Sequence, residues 1–149
     1  MITSDVYING TTINMYGKCG KISCARRVFD GLQSQNVVLW TASISVYLQN
    51  GCFEETFNLF SELLQEDVKP NDYTFAVLLN ASAGLSALKY GYLLHARTMK
   101  SGFTDYKIVG NSLIDAYAKG GNIEAASKVF SGVTLLVGML SYVGIRMMA

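Results

Sequence analysis

INMYGKCGKISCARRVF, from Ile13 to Phe29, and IDAYAKGGNIEAASKVF, from Ile114 to Phe130, decide the fold. Laid over each other they agree at eight of seventeen positions, where about one is expected by chance. A third copy, ISVYLQNGCFEETFNLF from Ile44 to Phe60, keeps the Ile, the Tyr, the Gly and the final Phe. Tyr16 and Tyr47 are 31 residues apart, and Tyr47 and Tyr117 are 70 apart, which leaves room for one more unit of 35 with Ser82 at the equivalent place. Its second half follows the pattern at a constant offset of 66: Ile22, Ala25, Val28 and Phe29 correspond to Leu88, Gly91, Leu94 and His95. The chain is therefore read as four units.

The apolar spacing inside each unit is helical. Ile13 with Tyr16, Ile44 with Tyr47, Leu79 with Ser82 and Ile114 with Tyr117 stand at i and i+3, which places each pair on one helix face. Ile22, Ala25 and Phe29 fall at i, i+3 and i+7, as do Ile123, Ala126 and Phe130. Between the halves stands Gly20, Gly51 or Gly121, where a tight turn needs positive φ. Ala25 and Ala126 let neighbouring helices approach, and Phe29, Phe60 and Phe130 supply large apolar area. One such pair cannot bury its apolar face alone, so the pairs must stack. The expected fold is all-α, an α-solenoid of stacked helix-turn-helix repeats.

Composition sets the outer limits. The 149 residues are half hydrophobic, which supplies a core and excludes a disordered or collagen-like polymer. Twelve Lys and Arg against eleven Asp and Glu leave a net charge of +1, which excludes a polycation held on nucleic acid by charge alone. Cys19, Cys24 and Cys52 are too few and odd in number for a disulfide scaffold. Cys19 and Cys24 have no second pair and no nearby His, so no metal site is expected. The longest nearly apolar run, Val133 to Ile145, is thirteen residues, short of the roughly twenty that span a bilayer. His95, the single histidine, aligns with Phe29, Phe60 and Phe130, so it is expected to pack rather than catalyse. No acid, base, nucleophile and metal constellation can be assembled. The chain is not expected to be an enzyme, and no cofactor is expected. Lys18, Lys21, Arg26 and Arg27 form a basic cluster within reach of phosphates if it is not simply a solvated face.

The second unit, VVLWTASISVYLQNGCFEETFNLFSELLQEDVKPN from Val37 to Asn71, resembles a pentatricopeptide repeat over its full 35 residues. The marks are Val-Val-x-Trp, Tyr-x-x-Asn-Gly, Glu-Glu-x-x-x-Leu-Phe and the closing Val-Lys-Pro-Asn. Residues 6–36 and 107–138 resemble the family's short class through YGKCG with ARRVF and YAKGG with ASKVF, and residues 72–106 resemble its long class through YTFAVLLNASAGLSALKYG and LLHARTMKSGF. Residues 1–5 are then a remnant of a preceding repeat and 139–149 a divergent tail, as expected of a fragment or truncated member. The mixture of ordinary, long and short units is similar to that of the plant organellar subgroup.

That resemblance implies a module for single-stranded RNA in organellar RNA processing or editing, in a mitochondrion or chloroplast, although the chain shows no import signal. It implies one base per competent repeat, read by the fifth and last residues of a unit. These are Thr41 with Asn71, Gly10 with Asn36, and Asn111 with Gly138. Asn offers both a donor and an acceptor, which suits A or C, and Thr41 supplies an adaptable hydroxyl. In the family Thr with Asn implies adenine. Gly10 has no side chain to read with, and Ala76 and Tyr106 of the long unit are assigned no base. Residues at the second position, Tyr7, Val38, Tyr73 and Ile108, would flank the bases. Some members of the subgroup end in a cytidine-deaminase-like domain, whose His-x-Glu and Cys-x-x-Cys motifs are not in this sequence. A monomer without membrane contact is expected, with protein partners of RNA processing as further partners. The alternative is a protein-interaction or structural solenoid of the tetratricopeptide type.

Overall fold

The computed structural model describes residues 2–131. Among these residues eight helices follow one another: α1 (Ile2–Lys18), α2 (Ile22–Asp30), α3 (Val37–Gln49), α4 (Phe53–Gln65), α5 (Asp72–Leu85), α6 (Leu88–Ser101), α7 (Lys107–Lys119) and α8 (Ile123–Ser131). No strand occurs among the described residues. The first helix of each pair packs on the next, α1 on α3, α3 on α5 and α5 on α7, and each of α2, α4 and α6 packs both on its own partner and on the first helix of the following pair. This neighbour-to-neighbour core is an α-solenoid. No described helix is long and apolar enough to cross a membrane.

The turn inside each pair is built the same way four times. The N–H groups of Lys21, Cys52, Ala87 and Asn122 donate to the carbonyls of Tyr16, Tyr47, Ser82 and Tyr117 at 2.8 to 3.2 Å. This bond closes the first helix and requires a left-handed residue just before the donor. Gly20, Gly51 and Gly121 have φ of 74°, 75° and 90°, as their spacing predicts, while Ser86 takes the same place at φ 51°. The turn also ties neighbours together, because Asn50 Nδ2 donates to Gly17 O at 3.1 Å and Val46 O at 2.8 Å. Gly17 permits that approach: a Cβ there would lie 2.7 Å from Val46 Cγ2.

The core runs through the slots the repeat predicts. Ile13, Ile44 and Leu79 are fully buried, and Phe29 meets Trp40 of α3 edge to face at 4.7 Å. The small-residue line Ala25, Thr56, Gly91 and Ala126 is buried throughout. His95 is buried in the slot of Phe29 and Phe60, and its Nδ1 lies 2.6 Å from the Tyr117 hydroxyl. Burial pushes its pKa down to about 4, because an apolar surrounding disfavours the charged ring.

One expectation needs correction. Phe130, expected to bury its ring, is 80% exposed; Phe29 is covered by α3 of the following pair, and no described helix follows α8. Helix α1 starts at Ile2, with Asp5 in its first turn. The divergent tail at 139–149 lies outside the described residues.

Candidate nucleic-acid interface

Helix α3 carries a stripe of residues at helical spacing, Val38, Thr41, Ala42, Ser45 and Gln49, which forms one wall of a groove of about 380 Å³. Asn14 and Lys18 of α1 line it on one side, and Asn71 and Tyr73, at the start of α5, line it on the other. The volume falls in the range of about 300–1,000 Å³ typical of small-ligand pockets. Four residues singled out from the sequence, Thr41, Asn71, Val38 and Tyr73, therefore share one site. Among the described residues, Lys18 is the single charged one on its wall.

Asn71 is the N-cap of α5. Its Oδ1 accepts from Thr74 N at 2.9 Å and from the Thr74 hydroxyl at 2.9 Å, and the Asn71 N–H donates back to Thr74 Oγ1 at 3.2 Å. Such a reciprocal cap satisfies helix donors that would otherwise lack partners. Thr41 is buried, its Oγ1 2.7 Å from Val37 O and 2.8 Å from Thr74 Oγ1. The Asn71 acceptor and the Thr41 proton are thus already engaged within the fold.

The other predicted residues stand apart from this groove. Asn36 is likewise an N-cap, its Oδ1 accepting from Leu39 N at 3.0 Å, but its sequence partner Gly10 offers no side chain. Asn111 is exposed on α7, and Gly138 lies outside the described residues. The four flanking residues are all exposed apolar side chains: Tyr7 76%, Val38 53%, Tyr73 56% and Ile108 37%. The basic cluster is split. Arg26 is held by Asp30 at 2.9 Å and Glu62 at 3.0 Å, while Lys18 faces the groove. Sequence reasoning missed Asn14, Ser45, Gln49 and Thr74. The first three were readable, Asn14 as the i−4 neighbour of Lys18, and Ser45 and Gln49 as the continuation of the Thr41 stripe at i+4 and i+8.

Among the described residues no group of three or more His, Cys, Asp or Glu is placed to hold a metal ion. Cys19 is exposed and Cys24 and Cys52 are half-buried, all three as free thiols.

The family model described as "PPR repeat family" matches residues 35–84, and the one described as "PPR repeat" matches residues 10–37 and 111–132. The chain belongs to the pentatricopeptide repeat family. A pentatricopeptide repeat-containing protein of Arabidopsis thaliana is 51% identical over 131 residues, covering 88% of this chain and 18% of the relative. A putative pentatricopeptide repeat-containing protein of the same plant, named as mitochondrial, is 39% identical over 83% of this chain and 20% of the relative. The chain thus spans about a fifth of the length of the curated pentatricopeptide repeat relatives it matches. The crystal structure of a pentatricopeptide repeat protein from maize superposes with a TM-score of 0.59 over 89% of this chain and 20% of that one, at 18% identity, a likeness of fold.

Proposed function

We propose that this chain is a recognition segment for single-stranded RNA in organellar RNA processing or editing, in a mitochondrion or chloroplast, and that the groove between α1, α3 and α5 receives one base. The observation that carries the reading is the convergence of Thr41, Asn71, Val38 and Tyr73 on that groove. Thr41 and Asn71 are the base readers there, with adenine as the target. Val38 and the exposed Tyr73 ring flank the base, where aromatic stacking is worth roughly 1 to 3 kcal/mol. Lys18 is placed to meet a phosphate. Asn36 and Asn111 are weaker readers at their own positions, with Tyr7 and Ile108 flanking. The chain recognises and does not catalyse, and it works as a monomer.

Short RNAs that differ at one nucleotide test this in a fluorescence anisotropy titration. The adenine version should bind tighter than the uracil version, and Thr41→Ala should remove the difference. Equal binding of both by the unaltered protein sinks the reading. With few phosphate contacts at net +1, affinity should be modest and should fall with salt.

A second reading, contact with a protein partner, is favoured by one observation. On the outer side, Phe57, Leu64, Tyr90, Leu93 and Arg97 line an apolar groove between α4 and α6, and Leu93 is 62% exposed where the other units carry Arg27, Asn58 and Lys128. A partner retained after RNase treatment and lost in Leu93→Lys would support it.

A further inference from the structure

We propose that Thr74, which belongs to the next helix pair, is a positioning residue that sets the hydrogen-bond polarity of the base groove: Asn71 offers only its Nδ2 donor, Thr41 offers only an acceptor oxygen, and the site therefore selects a base edge pairing an amino group with a bare ring nitrogen. This rests on the RNA reading of the groove.

The polarity follows from counting protons. The Thr74 backbone N–H can only donate, so the Asn71 atom 2.9 Å away must be the amide oxygen. The Thr74 hydroxyl is also 2.9 Å from that oxygen, which can only accept, so the single Thr74 proton points there. Two bonds to Oδ1 fix the rotation of the amide and leave Nδ2, which has no partner among the described residues, as the group Asn71 has to offer. Thr41 faces two inward partners, Val37 O at 2.7 Å and Thr74 Oγ1 at 2.8 Å. Its one proton is required by the Val37 carbonyl or by the contact with Thr74, and in neither arrangement is it free for a base. Thr41 therefore turns a lone pair to the groove.

A donor beside an acceptor matches adenine, with N1 and its 6-amino group, and cytosine, with N3 and its 4-amino group. Uracil and guanine present a ring N–H and a carbonyl in the opposite order, so each would meet donor against donor and acceptor against acceptor. Had Thr74 lacked its hydroxyl, Oδ1 would keep one anchor of the two and Thr41 would keep only the Val37 carbonyl as its inward partner. Asn36 shows that condition, because Leu39 stands where Thr74 does and provides only the backbone N–H.

The test titrates the full chain with four short single-stranded RNAs that carry A, C, G or U at one position. The unaltered protein should prefer A and C over G and U by about tenfold or more, the scale of one well-placed bidentate pair. Thr74→Val, which keeps the shape and removes the hydroxyl, should bring the four within about threefold of one another, and Thr74→Ser should restore the preference. Asn71→Asp still caps α5 but presents an acceptor in place of the donor, so it should remove the preference for A and C. Discrimination retained in Thr74→Val overturns the role of Thr74 while leaving the RNA reading intact. Loss in Thr74→Val that Thr74→Ser does not restore also overturns it, since the hydroxyl is then not the cause. No discrimination in the unaltered protein overturns the RNA reading itself. Among the favoured pair, adenine against cytosine separates a purine from a pyrimidine occupant.

Discussion

The α3–α4 and α5–α6 pairs lie side by side, and residues 35 apart take the same place in each, yet they have been put to different uses. Thr41 corresponds to Ala76, Gly51 to Ser86, Phe60 to His95 and Asn71 to Tyr106. The first pair has a hydroxyl on the groove, a glycine at positive φ and an apolar ring in the core. The second has a methyl, a serine forced to φ 51°, and an imidazole 1% exposed. Tyr106 caps α7 without a side-chain bond. Under the proposed reading the second pair has no base-reading pair of its own, but its first helix supplies Tyr73 to the wall of its neighbour's groove and Thr74 to the Asn71 cap. On that reading a solenoid unit that has lost its own recognition still serves the one before it.

The largest difference between the two pairs should be seen in acid. His95 has a folded pKa of about 4 against 6.5 unfolded, so the unfolded chain binds the proton more readily between those values. Stability should be full above pH 6.5 and fall by about 3 kcal/mol on descending to pH 4. Chemical denaturation at a series of pH values measures it, and His95→Phe, which gives the third unit the ring of the second, should flatten the slope across that window.

Next in size is Asn71→Ala, which should cost about 1 kcal/mol of stability through the lost cap and remove the base preference with it. Asn36→Ala is the comparison, expected to cost a similar amount in thermal melts while lowering base preference less, because Gly10 gives Asn36 no co-reader. If both variants lower discrimination equally, the contrast between a paired and an unpaired cap is wrong.

A smaller effect is expected from transplanting the groove. Ala76→Thr, Tyr106→Asn and Val109→Thr together recreate the Thr41, Asn71 and Thr74 arrangement one pair further on. An RNA with adenine at the adjacent nucleotide should gain about fivefold in affinity, about one added neutral hydrogen bond's worth. Ser86→Gly should have the smallest effect, a gain of roughly 0.5 to 1 kcal/mol from relief of the left-handed conformation, with RNA binding unaltered.

The helices and turns were readable because their causes are local. Ile13 and Tyr16 at i and i+3, with Gly20 beyond them, require nothing more than helix geometry and a positive φ. His95 in the phenylalanine slot was readable for the same reason, since register alone places it. Tyr7, Val38, Tyr73 and Ile108 share one position of the repeat, and all four are exposed. What spacing does not carry is the direction of a proton. Thr41 and Thr74 are 33 residues apart, and their contact exists only because α3 packs on α5. Phe130 was misjudged for a related reason: the slot is common to every unit, but the cover comes from the unit that follows.

Because Asn71 both begins a helix and faces the groove, a change of target base at this position must first satisfy the backbone. The side chains that cap a helix well are Asn, Asp, Ser and Thr. Under the proposed reading, this letter can be rewritten cheaply only among residues that cap a helix, and each rewriting is proofread by the stability of α5 before any RNA is met.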